Sequence, residues 1–375
     1  MKLSVCDCGQ LLQFEHTSCR HCGKPLGFVP GTLELGVVAI DGDAVVPAAR
    51  PDERWHRCIN AGDLGCNWLV PPDAPDPRCA SCRLNRNLAD MRVPANLAKW
   101  RLLECAKRRL LYALMRFGVP IASQKDGEAR GLAFDFLEGS RGAPVMTGHA
   151  NGLITINISE ADSAERERQR LALGEPYRTL LGHLRHEAGH YYQDILVHDA
   201  GRTDDCRALF GDERASYKDA IDHYYEHGPK PGWEDAYVSA YATMHPWEDF
   251  AETWTHYLHM VDTLDTGESF GLSVKPKVGE DPRHAAVIDF DPYNPPDVES
   301  LARAWLPLTA AVNSLNRSMG QPDLYPFDPS PGVLEKVRFI HEILHPDATP
   351  APRKRSTGAS ARPRARPPAA RRKQG

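Results

Sequence analysis

Eight of the ten cysteines lie before residue 83, and this crowding restricts the first part of the chain more than any other feature. Cys6-x-Cys8 is followed by Cys19-x-x-Cys22, and each pair has a glycine directly after it, Gly9 or Gly23. Two thiolate pairs presented on tight glycine turns fit a zinc ribbon, a fold closed by metal rather than by a large core. Cys58, Cys66, Cys79 and Cys82 form a second set, which ends in another Cys-x-x-Cys and has a more widely spread first pair. Each set supplies four sulfurs, and a closed four-sulfur site leaves no position for substrate, so two structural zinc sites are expected. Iron fits the same spacing. His21, beside Cys22, reads as a bystander, and Cys105 and Cys206 stand alone in helical segments.

Metal is preferred to disulfides because the chain shows no export signal. Its start lacks the apolar core of about 7–15 residues that a secretory leader needs, and no stretch approaches the roughly 18 apolar residues of a membrane span. A cytoplasmic location without membrane contact is the expectation, and there close cysteines serve as ligands. The formal net charge of −5 is uneven: residues 353–375 hold nine Lys and Arg and no acid, leaving the rest at −14. That segment, rich in Pro and Ala, reads as a disordered basic tail over residues 349–375, able at most to make weak contact with nucleic acid.

Beyond the cysteines the pattern is α+β. Residues 1–95 read as a cysteine-rich unit with short strands over 31–51, and residues 96–348 as a mainly helical domain with a small sheet. Apolar periodicity predicts helices over residues 97–117, 176–197, 212–227, 233–243, 246–264, 296–319 and 332–344. Residues 152–158 alternate with period two, with Ile154, Ile156 and Ile158 on one face, and predict a strand.

The helix over 176–197 carries His186-Glu187-Ala188-Gly189-His190. Positions i and i+4 share a helix face, so the two imidazoles can bind one zinc ion, with Glu187 beside them as general base for a zinc-bound water. Such an ion needs a third protein ligand and an open fourth position. The residues after His190 lack the glycine and histidine of a metzincin, so the ligand comes from elsewhere. Glu248 and Glu252 lie four apart on a second helix packed by Trp247, Phe250 and Trp254. Glu248 is the candidate ligand, and Glu252 the carboxylate that fixes the His186 tautomer. Asp249, His245, Glu234 and His198 are the competing candidates.

Glu248-Asp249-Phe250-Ala251-Glu252 resembles the pattern of the gluzincin metallopeptidases, particularly the lethal-factor-like branch. That resemblance implies a tyrosine shortly before the ligand glutamate that stabilises the oxyanion; Tyr241 stands in the matching place, with Tyr237 one turn earlier as the fallback. The whole order of motifs, from Cys-x-Cys-Gly-Gln-Leu-Leu through Gly65-Cys66-Asn67-Trp68-Leu69-Val70 and Cys79-x-x-Cys-Arg-Leu-Asn-Arg to the His-Glu-Ala-Gly-His helix, is similar to a bacterial zinc-binding metallopeptidase family with an N-terminal zinc ribbon. The resemblance extends to about residue 345 and implies one catalytic zinc and a peptide or protein substrate.

Two other functions fit the same residues. A binding protein would use the ribbons for a protein partner or for nucleic acid, with the His-Glu-x-x-His zinc non-catalytic; the acidic body argues against a nucleic-acid footprint. A zinc hydrolase acting on other amides or esters would use the same zinc, water and glutamate. The strand over 152–158 has two readings as well, an edge above the zinc that pairs with an extended peptide or a central strand.

Overall fold

The computed structural model describes residues 3–140, 143–172, 175–279 and 281–346; the basic tail lies outside the described residues. The chain opens with a two-stranded ladder, β1 (Ser4–Val5) and β2 (Leu11–Leu12), that holds the first cysteine pair. An antiparallel five-stranded sheet follows in sequential order: β3 (Leu26–Val29), β4 (Glu34–Asp41), β5 (Ala44–Pro47), β6 (Trp55–Arg57) and β7 (Leu69–Val70). β4 and β5 turn through a two-residue loop in which Gly42 has φ +61, a conformation that tight hairpins need and glycine adopts freely.

β8 (Asn85–Leu88) leads into α1 (Pro94–Phe117), which starts with proline in its first turn and ends at Gly118, φ +67, as the notation of Pro-in and Gly-out predicts. Next come β9 (Ala133–Leu137), β10 (Gly148–Ala150), β11 (Leu153–Asn157) and α2 (Ser163–Ala172). The second sheet has the order β10-β11-β9-β8, with β11 and β8 both parallel to β9 and β10 antiparallel to β11. β11 is therefore an interior strand, and the edge facing the site is β10. Ile154, Ile156 and Ile158 are buried.

The helices that build the site follow: α3 (Leu180–Gln193), α4 (Thr203–Phe210), α5 (Tyr217–His227) and α6 (Pro246–Ser269). A short hairpin of β12 (Ser273–Val274) and β13 (Ala286–Val287), then α7 (Val298–Ser318) and α8 (Pro331–Leu344), complete the described chain. No helix among the described residues is long and apolar enough to cross a membrane.

Several elements depart from the sequence expectation. α3 begins at Leu180 rather than near residue 176, because Thr179 caps it by accepting the Gly182 N–H at 2.9 Å. The helix expected over 233–243 is two 3₁₀ turns, Trp233–Asp235 and Tyr241–Thr243. The Asp235 and Ala236 carbonyls there accept instead from Ser330, the cap of α8, and from Lys336 within it. α2 has no counterpart among the predicted helices, and α4 gives bounds to the segment around Cys206 that reads as helical.

One continuous core joins the cysteine-rich unit to the helices. Phe14 packs edge-on against Phe28 (5.1 Å between ring centroids) and against Tyr112 of α1 (5.3 Å), while Phe28 meets Trp68 at 4.7 Å. β8, from the segment the sequence places in the first unit, is hydrogen-bonded into the sheet of the second. The two units thus share both a sheet and a core.

Candidate active site and metal centres

α3 lies against α6, and the approach is set by Gly189: a Cβ built there would sit 3.0 Å from the Ala251 Cα and 3.1 Å from Trp254. That contact brings the His186–His190 face of α3 over the first turns of α6. Pro246 opens α6, and the ring Nδ1 of His245 caps it by accepting the Trp247 N–H at 3.1 Å.

Donor atoms of His186, His190 and Glu248 lie within 4.8 Å of one another. His186 Nε2 is 2.9 Å and His190 Nε2 3.7 Å from Glu248 Oε2. A tetrahedral zinc with bonds of about 2.0–2.2 Å separates its ligand atoms by roughly 3.4 Å, between those two distances, so two imidazoles and a carboxylate suit that ion. His190 is held by stacking on Trp247, 3.7 Å between centroids. Glu248 is fixed through its other oxygen, which accepts from the Tyr217 hydroxyl at 3.0 Å.

Behind His186 stands Glu252. It accepts from His186 Nδ1 at 2.8 Å and from the Ser239 hydroxyl at 2.6 Å. Burial would raise its pKa, but these hydrogen bonds and the His186 charge hold it down, at about 2. The competing ligand candidates are engaged elsewhere: His245 Nε2 reaches the Ala215 carbonyl, Asp249 pairs with Lys336 at 2.6 Å, and His198 bonds Thr203. Glu234 lies in the Trp233–Asp235 turn and is not in the cluster.

The donors line a cleft of about 540 Å³ that Glu187, Tyr241, Tyr217, Trp247 and the β10 segment also line. Glu187 is 5% exposed, and one of its oxygens lies 3.3 Å from His183 Nε2. His183 Nδ1 in turn meets Glu160 at 2.5 Å. Burial lowers the His183 pKa, yet Glu160 and Glu187 outweigh it and push the value up to about 9. Tyr241 lines the same cleft with its ring 6.2 Å from that of His186, and burial and the Glu248 charge raise the phenol pKa values of both Tyr217 and Tyr241. Tyr237 faces away, toward Lys230 and Lys336. Sequence reasoning missed Tyr217, Ser239, Glu160 and His183; only His183, one turn before Glu187, carried a local signal.

None of the ten cysteines is in a disulfide, and eight of them gather in two sets. In the first, Cys6 and Cys22 sulfurs are 3.6 Å apart and Cys8 and Cys19 3.7 Å; in the second, Cys66 and Cys79 are 3.6 Å apart and Cys82 and Cys66 3.9 Å. Tetrahedral zinc, with bonds of about 2.3 Å, spaces sulfurs by roughly 3.8 Å. Both sets fit. Gly9 at φ +87 and Gly23 at φ +73 make the turns of the first set. Its Cys8 and Cys22 are exposed, whereas every cysteine of the second set is buried.

Comparisons with known proteins match two stretches of the chain. A profile described as a zinc-ribbon domain matches residues 3–93, and one described as "Putative zinc-binding metallo-peptidase" matches residues 96–343. Uncharacterized proteins of Mycobacterium tuberculosis and Mycobacterium bovis are 41% identical over 354 residues, covering 93% of this chain and 98% of theirs. No solved structure matches. With the greater part of its length, from the start of α1 to the end of α8, matched by the second profile, the chain belongs to the family described as "Putative zinc-binding metallo-peptidase".

Proposed function

We propose that the chain is a zinc-dependent peptidase in which His186, His190 and Glu248 hold the catalytic ion and Glu187 is the general base. The observation that carries this reading is the convergence of these four side chains on one wall of an open cleft. Zinc bound there would act as a Lewis acid toward the scissile carbonyl and acidify a water. Glu187 takes the proton of the attacking water and returns it to the leaving amine. Glu252 and Ser239 hold the His186 ring, and Tyr217 holds Glu248. Tyr241, which lines the same cleft, supports the developing oxyanion. An extended substrate lies along the edge strand β10, pairing with its free backbone groups. The two cysteine sites take structural zinc, and the exposed first set is the face open to a protein partner. Metal-held thiols of this kind suit a reducing, cytoplasmic compartment.

Glu187→Gln tests the assignment. Cleavage of a diverse peptide library falls on the order of 10²–10⁴-fold, while zinc per chain stays at the wild-type value. A fully zinc-loaded wild type that is inert toward every peptide would discard the peptidase reading in favour of a binding module.

A further inference from the structure

One arrangement occurs twice on α3. His186 presents Nδ1 to Glu252, whose second oxygen accepts from the Ser239 hydroxyl. One turn earlier, His183 presents Nδ1 to Glu160, whose second oxygen accepts from the Thr147 hydroxyl. Glu160 is 4% exposed and comes from the 3₁₀ turn after β11. Thr147 precedes β10 and also accepts the Asn157 N–H, at 3.1 Å, so the hydroxyl is fixed. The first imidazole, backed in this way, points its other nitrogen at Glu248; the second points its other nitrogen at Glu187 Oε1. His186 Nε2 belongs to the proposed metal site, but both neighbours of His183 are carboxylates that only accept, so the His183 ring carries a proton on each nitrogen.

We infer that His183 is a positioning residue for Glu187: Glu160 and Thr147 lock its ring, and the ring's Nε2–H holds one oxygen of the base, leaving the other free for proton transfer. The inference rests on the peptidase reading above. It gives a task to a buried acid, Glu160, that no ligand role uses. It also ties the base to the segment before β10, which lines the same cleft, so the group that moves protons and the edge that binds substrate share one hydrogen-bonded frame.

The experiment uses the full-length zinc-loaded protein and a peptide that the wild type cleaves. His183→Ala lowers kcat roughly 10–100-fold, the usual cost of losing an outer partner of this kind, with KM and zinc per chain unchanged. Glu160→Gln lowers kcat in the same direction, and the double variant is no slower than His183→Ala alone, because both changes release one ring. Added imidazole restores part of the His183→Ala turnover. A merely structural role would lower thermal stability without the selective loss of kcat and without rescue. An unchanged kcat in His183→Ala, or losses that multiply in the double variant, overturns the inference. If His183→Ala does not fold, Glu160→Gln decides alone, and normal kcat there overturns it. A wild type inert toward peptides removes the peptidase reading itself, whereas a wild type and His183→Ala that cleave equally well remove only the role of His183.

Discussion

The buried cysteine set and the histidine–glutamate cluster both gather their donor atoms beneath the surface, yet their surroundings differ in charge and in access. Zinc with four thiolates is formally two-fold negative, and the fold places cations under that set. Lys107, fully buried, is bonded to Asn85 and, at 2.7 Å, to Glu104. The buried Arg108 guanidinium feels the Cys66 and Cys82 charges, which, against the cost of burial, raise its pKa. Zinc with two neutral imidazoles and one carboxylate is formally one-fold positive, and its donors are backed by a carboxylate and hydroxyls and face a cleft. Holding zinc, the negative, covered site would attract no substrate and would fix structure, and the positive, open one would draw an electron-rich carbonyl and a water. What encloses the donors, more than the donors themselves, separates the scaffold from the chemistry.

Breaking the scaffold has the largest expected effect. Cys79, with no exposure, sits where the second cysteine set meets α1 through Glu104, which lies 4.0 Å from the Cys82 sulfur. Binding free energy at a structural zinc site is folding free energy, apparently about 10–16 kcal/mol in small zinc domains. Cys79→Ala therefore loses one zinc and the cooperative melting of the whole chain, because the core is continuous across the junction. Cys8→Ser, in the half-exposed first set, loses one zinc but keeps the main melting transition. Metal content and calorimetry on the two variants check this; equal damage would mean that the two cysteine sets do not differ in structural role.

A smaller effect isolates charge. Arg108→Met removes a guanidinium whose Nη2 donates to the Cys105 sulfur at 3.4 Å and whose Nε and Nη1 are buried without hydrogen-bond partners, so what is lost is that bond and the attraction to the thiolates and Glu104. Leaving a buried charge uncompensated costs about 3–5 kcal/mol. The zinc-loaded variant unfolds at correspondingly lower urea and gives up the zinc of the buried cysteine set to a chelator more readily than wild type. An unchanged hold on that zinc would assign Arg108 to packing and its Cys105 bond alone.

The parts of this arrangement that can be read from sequence are those set by local spacing. Helical period places His186, Glu187 and His190 on one face and Glu248 above Glu252 on another, and the glycine after each close pair of the first cysteine set marks the turns Gly9 and Gly23 make. Partners supplied from far along the chain leave no such mark. Ser239 and Tyr217 reach Glu252 and Glu248 from a 3₁₀-rich segment and from α5, and Glu160 reaches His183 from the 3₁₀ turn after β11, held in turn by Thr147 beside the sheet edge. Periodicity also failed where α8 overrode it: Ser330 and Lys336 take the carbonyls at 235 and 236 that a helix over 233–243 would have used. β11 reads as a strand from its alternation, but whether it lies inside the sheet or at its edge depends on β10, only three residues long.

The smallest expected effect sharpens the contrast from the open side. Glu252→Gln keeps the shape of the side chain behind His186 but removes its charge, so the hydrogen bond to Nδ1 loses its ionic component while Ser239 and the packing of α6 remain. Since half-buried Glu252 touches His186 and Ser239 and is no part of the cysteine sites, thermal stability changes little and both sulfur sites stay filled. Affinity at the histidine–glutamate site alone falls roughly 10–100-fold, the usual price of losing a carboxylate behind a ligand imidazole. Competition with a chromophoric chelator reads this directly, as one of three bound zinc ions becoming easier to withdraw. If all three loosened together, the two regions would be coupled through the shared core, and the division between a covered scaffold and an independently tuned open site would fail.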